Sequence, residues 1–160
     1  MTIRWLDQDE ERAWRGYRQL RALLDLQISR DLAHAAQLSD ADYDVLSDLS
    51  ETDGHRLRLI DLAGRMLWSK SRLAHHIDRM ENRGLVRREG DPTVSRGVWI
   101  ALAPAGLLAI ENAAPGHVAS VRSHFIDLLT AEQLSVLGDV AEIVVTHLQA
   151  VREPAALAER

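Results

Sequence analysis

The chain contains no cysteine among its 160 residues. That excludes disulfide cross-links, thiolate zinc sites, cysteine nucleophiles and thiol-based redox sensing. Long apolar runs are missing too: no stretch approaches the roughly 18–20 residues that a membrane span needs. The opening MTIRWLDQDEER is too acidic and polar for a signal peptide, so the expected location is the cytoplasm, with no membrane partner. There is no Gly-rich phosphate loop, no GxSxG elbow and no metalloprotease motif, and the acidic residues fall on exposed faces. An enzyme is not expected. Internal repeats and low-complexity tracts are absent as well.

What is present is an ordinary globular composition, 46% hydrophobic and 27% charged. The length fits one domain, or one compact unit with helical extensions, and is enough to bury a core. The net charge of −5 argues against a polyanionic partner, but its distribution argues the other way. His55 to Gly97 holds nine Arg and one Lys against five acids, a net of +5, which leaves −10 for the remainder. A basic segment in an acidic chain is an electrostatic footprint, because position matters more than total charge.

Apolar spacing divides the chain. Trp14, Tyr17, Leu20, Leu24 and Ile28 recur at three and four over 8–36, which predicts a helix. Ser39 is an N-cap for a short helix over 41–49 with Tyr43, Leu46 and Leu49 on one side. Thr52-Asp53-Gly54 is a stop, and 59–66 form another short helix with Ile60 and Ala63 inside. Ser69 caps the helix carrying Leu73, Ile77 and Met80, which Gly84 ends. Leu85 to Arg88 and Val98 to Leu102 read as the two strands of a hairpin, with Trp68 and Trp99 in or near the core. Pro104 opens a helix to about residue 128, bent near Pro115-Gly116. Thr130 and Gln133 form a capping box for a last helix to about residue 151, followed by a frayed tail. The expected fold is mainly α with a small β-hairpin wing: a winged helix-turn-helix core flanked by N- and C-terminal helices.

The helix after Ser69 is the candidate reader of a DNA major groove. Around Leu73, Ser71, Arg72, His75, Asp78 and Arg79 fall on the outer side. Ser69, Lys70 and Ser71 stand at the N-terminus, where free N–H groups and the helix dipole favour a phosphate. Arg72 suits a guanine edge, His75 or Ser71 can donate to bases or phosphate, and Ala74 is small enough to admit close approach to a thymine methyl. In the wing, Ser95 and Arg96 lie at the turn, and Arg96 suits a narrow minor groove. Arg87 and Arg88 at the hairpin base address phosphates or are solvated strand-edge charges.

With those residues in view, LIDLAGRMLWSKSRLAHHIDRMENRGLVRREGDPTVSRGVWIALAPAG (59–106) resembles the MarR family of bacterial winged-helix regulators. The likeness runs through the helix-turn-helix, the RMENRGLVRR junction at 79–88 and the aspartate-led wing ending in Leu-x-x-x-Gly. It implies one MarR-like domain over 1–160, with a DNA-binding core at 38–103 and dimerisation helices at 1–37 and 104–151. It also implies a homodimer on double-stranded DNA at a near-palindromic operator, more often a repressor, nucleoid-associated when bound. Two departures stand out. Thr93 occupies a place where the family usually has a wing Arg, which leaves more to Arg96. Ala103 replaces a usual Thr, losing a cap of roughly 1 kcal/mol, partly offset by Pro104.

Other constellations carry less. His117 and His124 share a helix face and His147 could lie near them, but a seven-residue spacing is too wide for one ion without further ligands. His75 and His76 point to different sides of their helix. No metal or other cofactor is expected. Trp14 and Tyr17, with Trp5, are candidates for lining a crevice for a small aromatic effector, although packing is the simpler reading. The competing class of function is a winged-helix protein-interaction module whose basic face meets an acidic partner.

Overall fold

A computed structural model describes residues 3–90 and 97–158, with the side chains of 153–158 excepted. Contacts divide it into two compact units, residues 1–120 and 121–160. In the first unit, helix α1 (Gln8–Ala36) starts from Asp7, whose carboxylate accepts from the N–H groups of Asp9 and Glu10 while Glu10 accepts from Asp7 N–H. This reciprocal box satisfies donors that the first turn leaves without partners. Ser39 and Asp42 repeat the device for α2 (Asp40–Ser50). Then follow strand β1 (Arg56–Arg58), α3 (Leu59–Arg65), α4 (Lys70–Asn82), β2 (Val86–Gly90), β3 (Val98–Leu102) and α5 (Pro104–His124). The second unit holds the end of α5, a 3₁₀ turn at Ile126–Leu128, and α6 (Ala131–Ala158), opened by the Thr130–Gln133 box.

The sheet is antiparallel with order β1-β3-β2. The alternation of side chains across a strand sorts its residues into two faces. Leu57, Val86, Ile100 and Leu102 are buried against α2, α3 and α4, where Leu46, Leu49, Leu62, Leu73, Ile77 and Met80 complete the core. Each such fully buried side chain stabilises the fold by about 1.5–3 kcal/mol. Arg56, Arg58, Trp99, Arg87 and Glu89 take the other face. Arg88 pairs with Ile100 in register and so shares the inner face with Val86.

The junction between α4 and β2 is fixed by backbone chemistry. Gly84 has φ +72°, its N–H donates to Glu81 O, and Leu85 N–H donates to Met80 O, the two bonds of a Schellman stop. A residue with a Cβ is strained there. The Leu85 carbonyl then accepts from Ala103 N–H, and Gly106 passes so close that a Cβ on it would lie 1.9 Å from that oxygen. The wing and the start of α5 are therefore pinned to one peptide group.

Several expectations are corrected. The sheet has a third strand, β1, pairing Arg56 to Arg58 with Ala101 to Trp99 on β3. Ile60 is 65% exposed rather than inside, because α3 begins at Leu59 directly from β1 and turns Leu59, Leu62 and Ala63 inward. α5 stops at His124, where Phe125 leaves helical dihedrals at φ −143°, ψ −64°, and it runs on through Pro115. α6 continues past residue 151 to Ala158. Within it, Ala131–Arg152 is long and apolar enough to cross a membrane by length and composition, with a mean hydropathy of 1.4 in its most apolar window. Asp139 and Glu142 interrupt that segment, which is why no unbroken run shows in the sequence.

Candidate nucleic-acid interface

α4 buries Leu73, His76, Ile77 and Met80 and leaves Lys70, Ser71, Arg72, His75, Asp78 and Arg79 exposed. Ser69 is its N-cap: the hydroxyl oxygen accepts Arg72 N–H at 3.2 Å and keeps its own O–H free to donate outward. Lys70 and Ser71 follow in the first turn, beside the unpaired N–H groups that make helix starts attractive to phosphate. Ala74 is half-buried and packs against the core, with its carbonyl accepting from Arg88. It therefore lies on the flank of α4 that meets β2.

The arginines of this region sort into two kinds. Arg79 turns back along its helix to donate to His75 O at 3.3 Å and to His76 Nδ1 at 2.8 Å. Arg83 holds Asp42 Oδ2 at 2.7 Å and Gln37 O at 2.9 Å. Arg87 donates to Glu89 at 2.9 Å and to Leu102 O at 2.6 Å. Arg88, on the inner face of β2, reaches Glu81 at 2.6 Å, Asp78 at 2.8 Å and Ala74 O at 3.0 Å. Its own backbone N–H also goes to Glu81. Strand alternation aims this guanidinium at α4, so in the free chain it braces the wing against the helix and is not a solvated strand-edge charge.

Arg72 is the other kind. Its guanidinium carbon stands 3.9 Å from the centroid of the Trp68 ring. Such stacking uses the face of the cation and leaves its in-plane N–H edges open. No acceptor among the described residues takes them. On the outer sheet face, Arg56 and Arg58 lie 5.0 and 5.3 Å from the Trp99 ring. Ser95 and Arg96 lie outside the described residues.

Beneath α4 is a buried polar cluster that sequence reasoning missed, although Asp42 three residues after Ser39 was its visible part. His76 Nε2 lies 3.2 Å from Asp42 Oδ1, both side chains 6% exposed. Since Arg79 donates to Nδ1, the neutral ring carries its proton on Nε2, facing Asp42. The Asp42 contact is close but too poorly aligned for a hydrogen bond, and Nε2 has no hydrogen-bond partner. Burial is the largest influence on His76 and lowers its pKa; Arg79 adds to this and Asp42 opposes it. For Asp42 burial pushes upward, but hydrogen bonds from Ser39 and Arg83 and the Arg83 charge outweigh it and hold the carboxyl below its ordinary value.

Trp14 and Tyr17 are neighbours on α1 and are not among the residues lining the cavity beside it. They stack on one another at 5.8 Å, both about half exposed, and Trp5 is 82% exposed. A cavity of about 350 Å³ opens instead two to four turns further along α1, lined by Asp25, Ile28, Leu32, Asp40, Tyr43, Asp44 and His117. The Tyr43 and His117 rings are 4.2 Å apart there. Burial, with the charges of Asp40 and Asp48, raises the Asp44 pKa. Among the described residues no three His, Asp or Glu side chains are grouped to hold a metal ion.

Known proteins share this fold. The MarR family model matches residues 38–98. The transcriptional regulator HosA of Escherichia coli O111:H- is 32% identical over 121 residues, 74% of this chain and 86% of that protein. The crystal structure of AbsC, a MarR family transcriptional regulator from Streptomyces coelicolor, has a TM-score of 0.88 at 43% identity, over 92% of this chain and 99% of that one. Sco3205, a MarR family regulator from the same organism solved in complex with DNA, has a TM-score of 0.87 at 37% identity, over 91% and 92% of the two chains. The chain belongs to the MarR family of winged-helix transcriptional regulators, a family of DNA-binding proteins and not of enzymes.

Proposed function

We propose that the protein acts as a homodimer that represses transcription from a near-palindromic operator, with residues 38–103 as the DNA-binding core and helices 1–37 and 104–151 as the dimerisation elements. The observation that carries this reading is the first turn and outer face of α4. Ser69, Lys70, Ser71 and His75 are exposed there, and Arg72 alone among the arginines of 72–88 donates no side-chain N–H to any described residue. Arg72 addresses a guanine edge, Ser69, Lys70 and Ser71 address phosphates, and His75 addresses either. Arg79, exposed on the same face, joins them through the N–H groups that His75 and His76 leave open. Ser95 and Arg96 reach the neighbouring minor groove or backbone from the wing.

Exposed apolar rows support the second copy. Val136, Leu137, Val140, Ile143, Val144 and Leu148 on α6, and Trp14, Tyr17 and Leu20 on α1, are all more than a third exposed. Apolar surface on this scale marks an interface, and a two-fold dimer covers it while placing the two α4 helices one helical turn apart, ~10 bp between half-site centres. That interface also accounts for α6 without a membrane, in keeping with a cytoplasmic protein. A small aromatic effector fits the cavity beside Tyr43 and His117, which lies between helices of the dimerising and DNA-binding parts; it would act by favouring a dimer with wrongly spaced readers.

Selection of bound duplexes from a randomised pool tests the reading. Two half-sites related by a dyad, their centres about 10 bp apart, are the expected product. Failure to enrich any motif at moderate salt would sink it.

A further inference from the structure

We propose that Trp68 is a specificity-determining positioning residue: its indole is the platform that holds the Arg72 guanidinium edge-on toward the base it reads. The inference rests on the reading of Arg72 given above and adds the means by which that side chain is aimed. Three observations carry it. First, Arg72 lies over the ring at 3.9 Å, the shortest cation–ring approach among the described residues. Second, the ring is itself held: Trp68 packs against the core, and the buried His76 ring stands edge-on to it at 5.5 Å, 86° between planes. Trp68 N–H donates to Ala63 O, fixing the backbone at the turn before α4. Third, every neighbouring arginine is fixed by carboxylate, carbonyl or imidazole acceptors, which occupy N–H donors, whereas Arg72 is fixed through its face.

The physical consequence concerns entropy and geometry. A free arginine samples many rotamers, and ordering it on binding opposes recognition. Stacking removes much of that freedom beforehand while all five donors stay in one exposed plane. A bidentate contact to guanine O6 and N7 requires such a plane, and lysine cannot reproduce it. The chain of support runs from core to base: Ile77 and Met80 seat α4, His76 supports Trp68, and Trp68 orients Arg72.

The test measures base preference position by position for the full-length protein, using single-base variants of the selected site. Arg72→Ala is expected to flatten preference at one base pair per half-site. Trp68→Leu is expected to lose on the order of tenfold in discrimination at that same base pair, with preferences elsewhere kept, and the double variant to lose little more than Arg72→Ala alone. Trp68→Phe, which retains an aromatic face, should keep most of the discrimination. If Trp68→Leu does not fold, Trp68→Met, which is longer, adaptable and also lacks the ring, replaces it. A uniform loss of affinity in Trp68→Leu, with the preference at that base pair unchanged, would make Trp68 a packing residue only and overturn the platform. Unchanged preference in Arg72→Ala would overturn the reading of Arg72 itself, and the platform with it.

Discussion

Individual side chains in this protein are governed by how their polar atoms are satisfied, and pH reaches them through the buried pair under α4. The His76 pKa is lowered in the folded state, so below about 6.5 the unfolded chain takes up a proton that the folded one refuses. Stability then rises with pH up to that value and is lost on acidification below it. Asp42, lowered as well, contributes stability above about 3.9 that disappears as the pH falls through its folded value. Thermal melts from pH 7 to pH 5 should show a falling midpoint, and His76→Gln should flatten that slope; an equal slope in both proteins would remove His76 as the cause. Arg88 gives a second expectation. Because its partners are partly exposed and screened, Arg88→Ala should cost only about 1–2 kcal/mol in urea unfolding. Its plot of log affinity against log salt should stay parallel to that of the wild type, whereas loss of a phosphate contact would lower the slope by about one. Lys70 is the only lysine in the chain, so amine-directed acetylation mapped to a lysine side chain reports on it alone. Operator DNA should protect it, and equal labelling with and without DNA would remove it from the interface.

At the scale of elements, the site depends on how α4, the wing and α5 are joined. The Leu85 backbone serves all three: its N–H closes the Schellman stop of α4, and its carbonyl receives Ala103 N–H and faces Gly106. Gly106→Ala drives a methyl into that oxygen, and relief requires moving either the helix or the strand. A loss of about 1–3 kcal/mol is expected, measured by denaturant unfolding, with weaker operator binding as the wing shifts. The same backbone contacts explain why the junction was visible in the residues: glycine at 84 and at 106 reports a backbone requirement. β1 carried no comparable signal. Arg-Leu-Arg is too short for alternation to register, and it becomes a strand only because β3, some forty residues later, offers an edge. Ile60 was misplaced for the same reason, since β1 sets the starting phase of α3.

Over the whole molecule, the balance of apolar surface is what a single copy leaves unresolved. α6 presents Val140, Ile143, Val144 and Leu148 to solvent, about half exposed or more. Replacing Val140 and Ile143 together by Asp should give a monomer by sedimentation while the circular-dichroism spectrum of the winged core persists. Operator affinity should then fall by at least tenfold, because one reader cannot span both half-sites. A dimer that survives this change would place the interface elsewhere.

The sequence by itself determined the helices with strong apolar periodicity, their caps, the hairpin strands and the basic outer face of α4. These are local properties: capping boxes, 3.6-residue spacing and a left-handed glycine act within a few residues of one another. Only the tertiary structure decided which charges remain available. Arg88 and Arg72 look alike as sequence, yet strand alternation turns one onto Asp78 and Glu81, while the turn before α4 lays the other on Trp68. The buried Asp42–His76 pair, with the partly exposed Arg83 on Asp42, likewise draws on residues up to 41 positions apart. Pairings over such distances are fixed by packing, because the cost of burying an unpaired polar group is set by whatever the fold brings beside it.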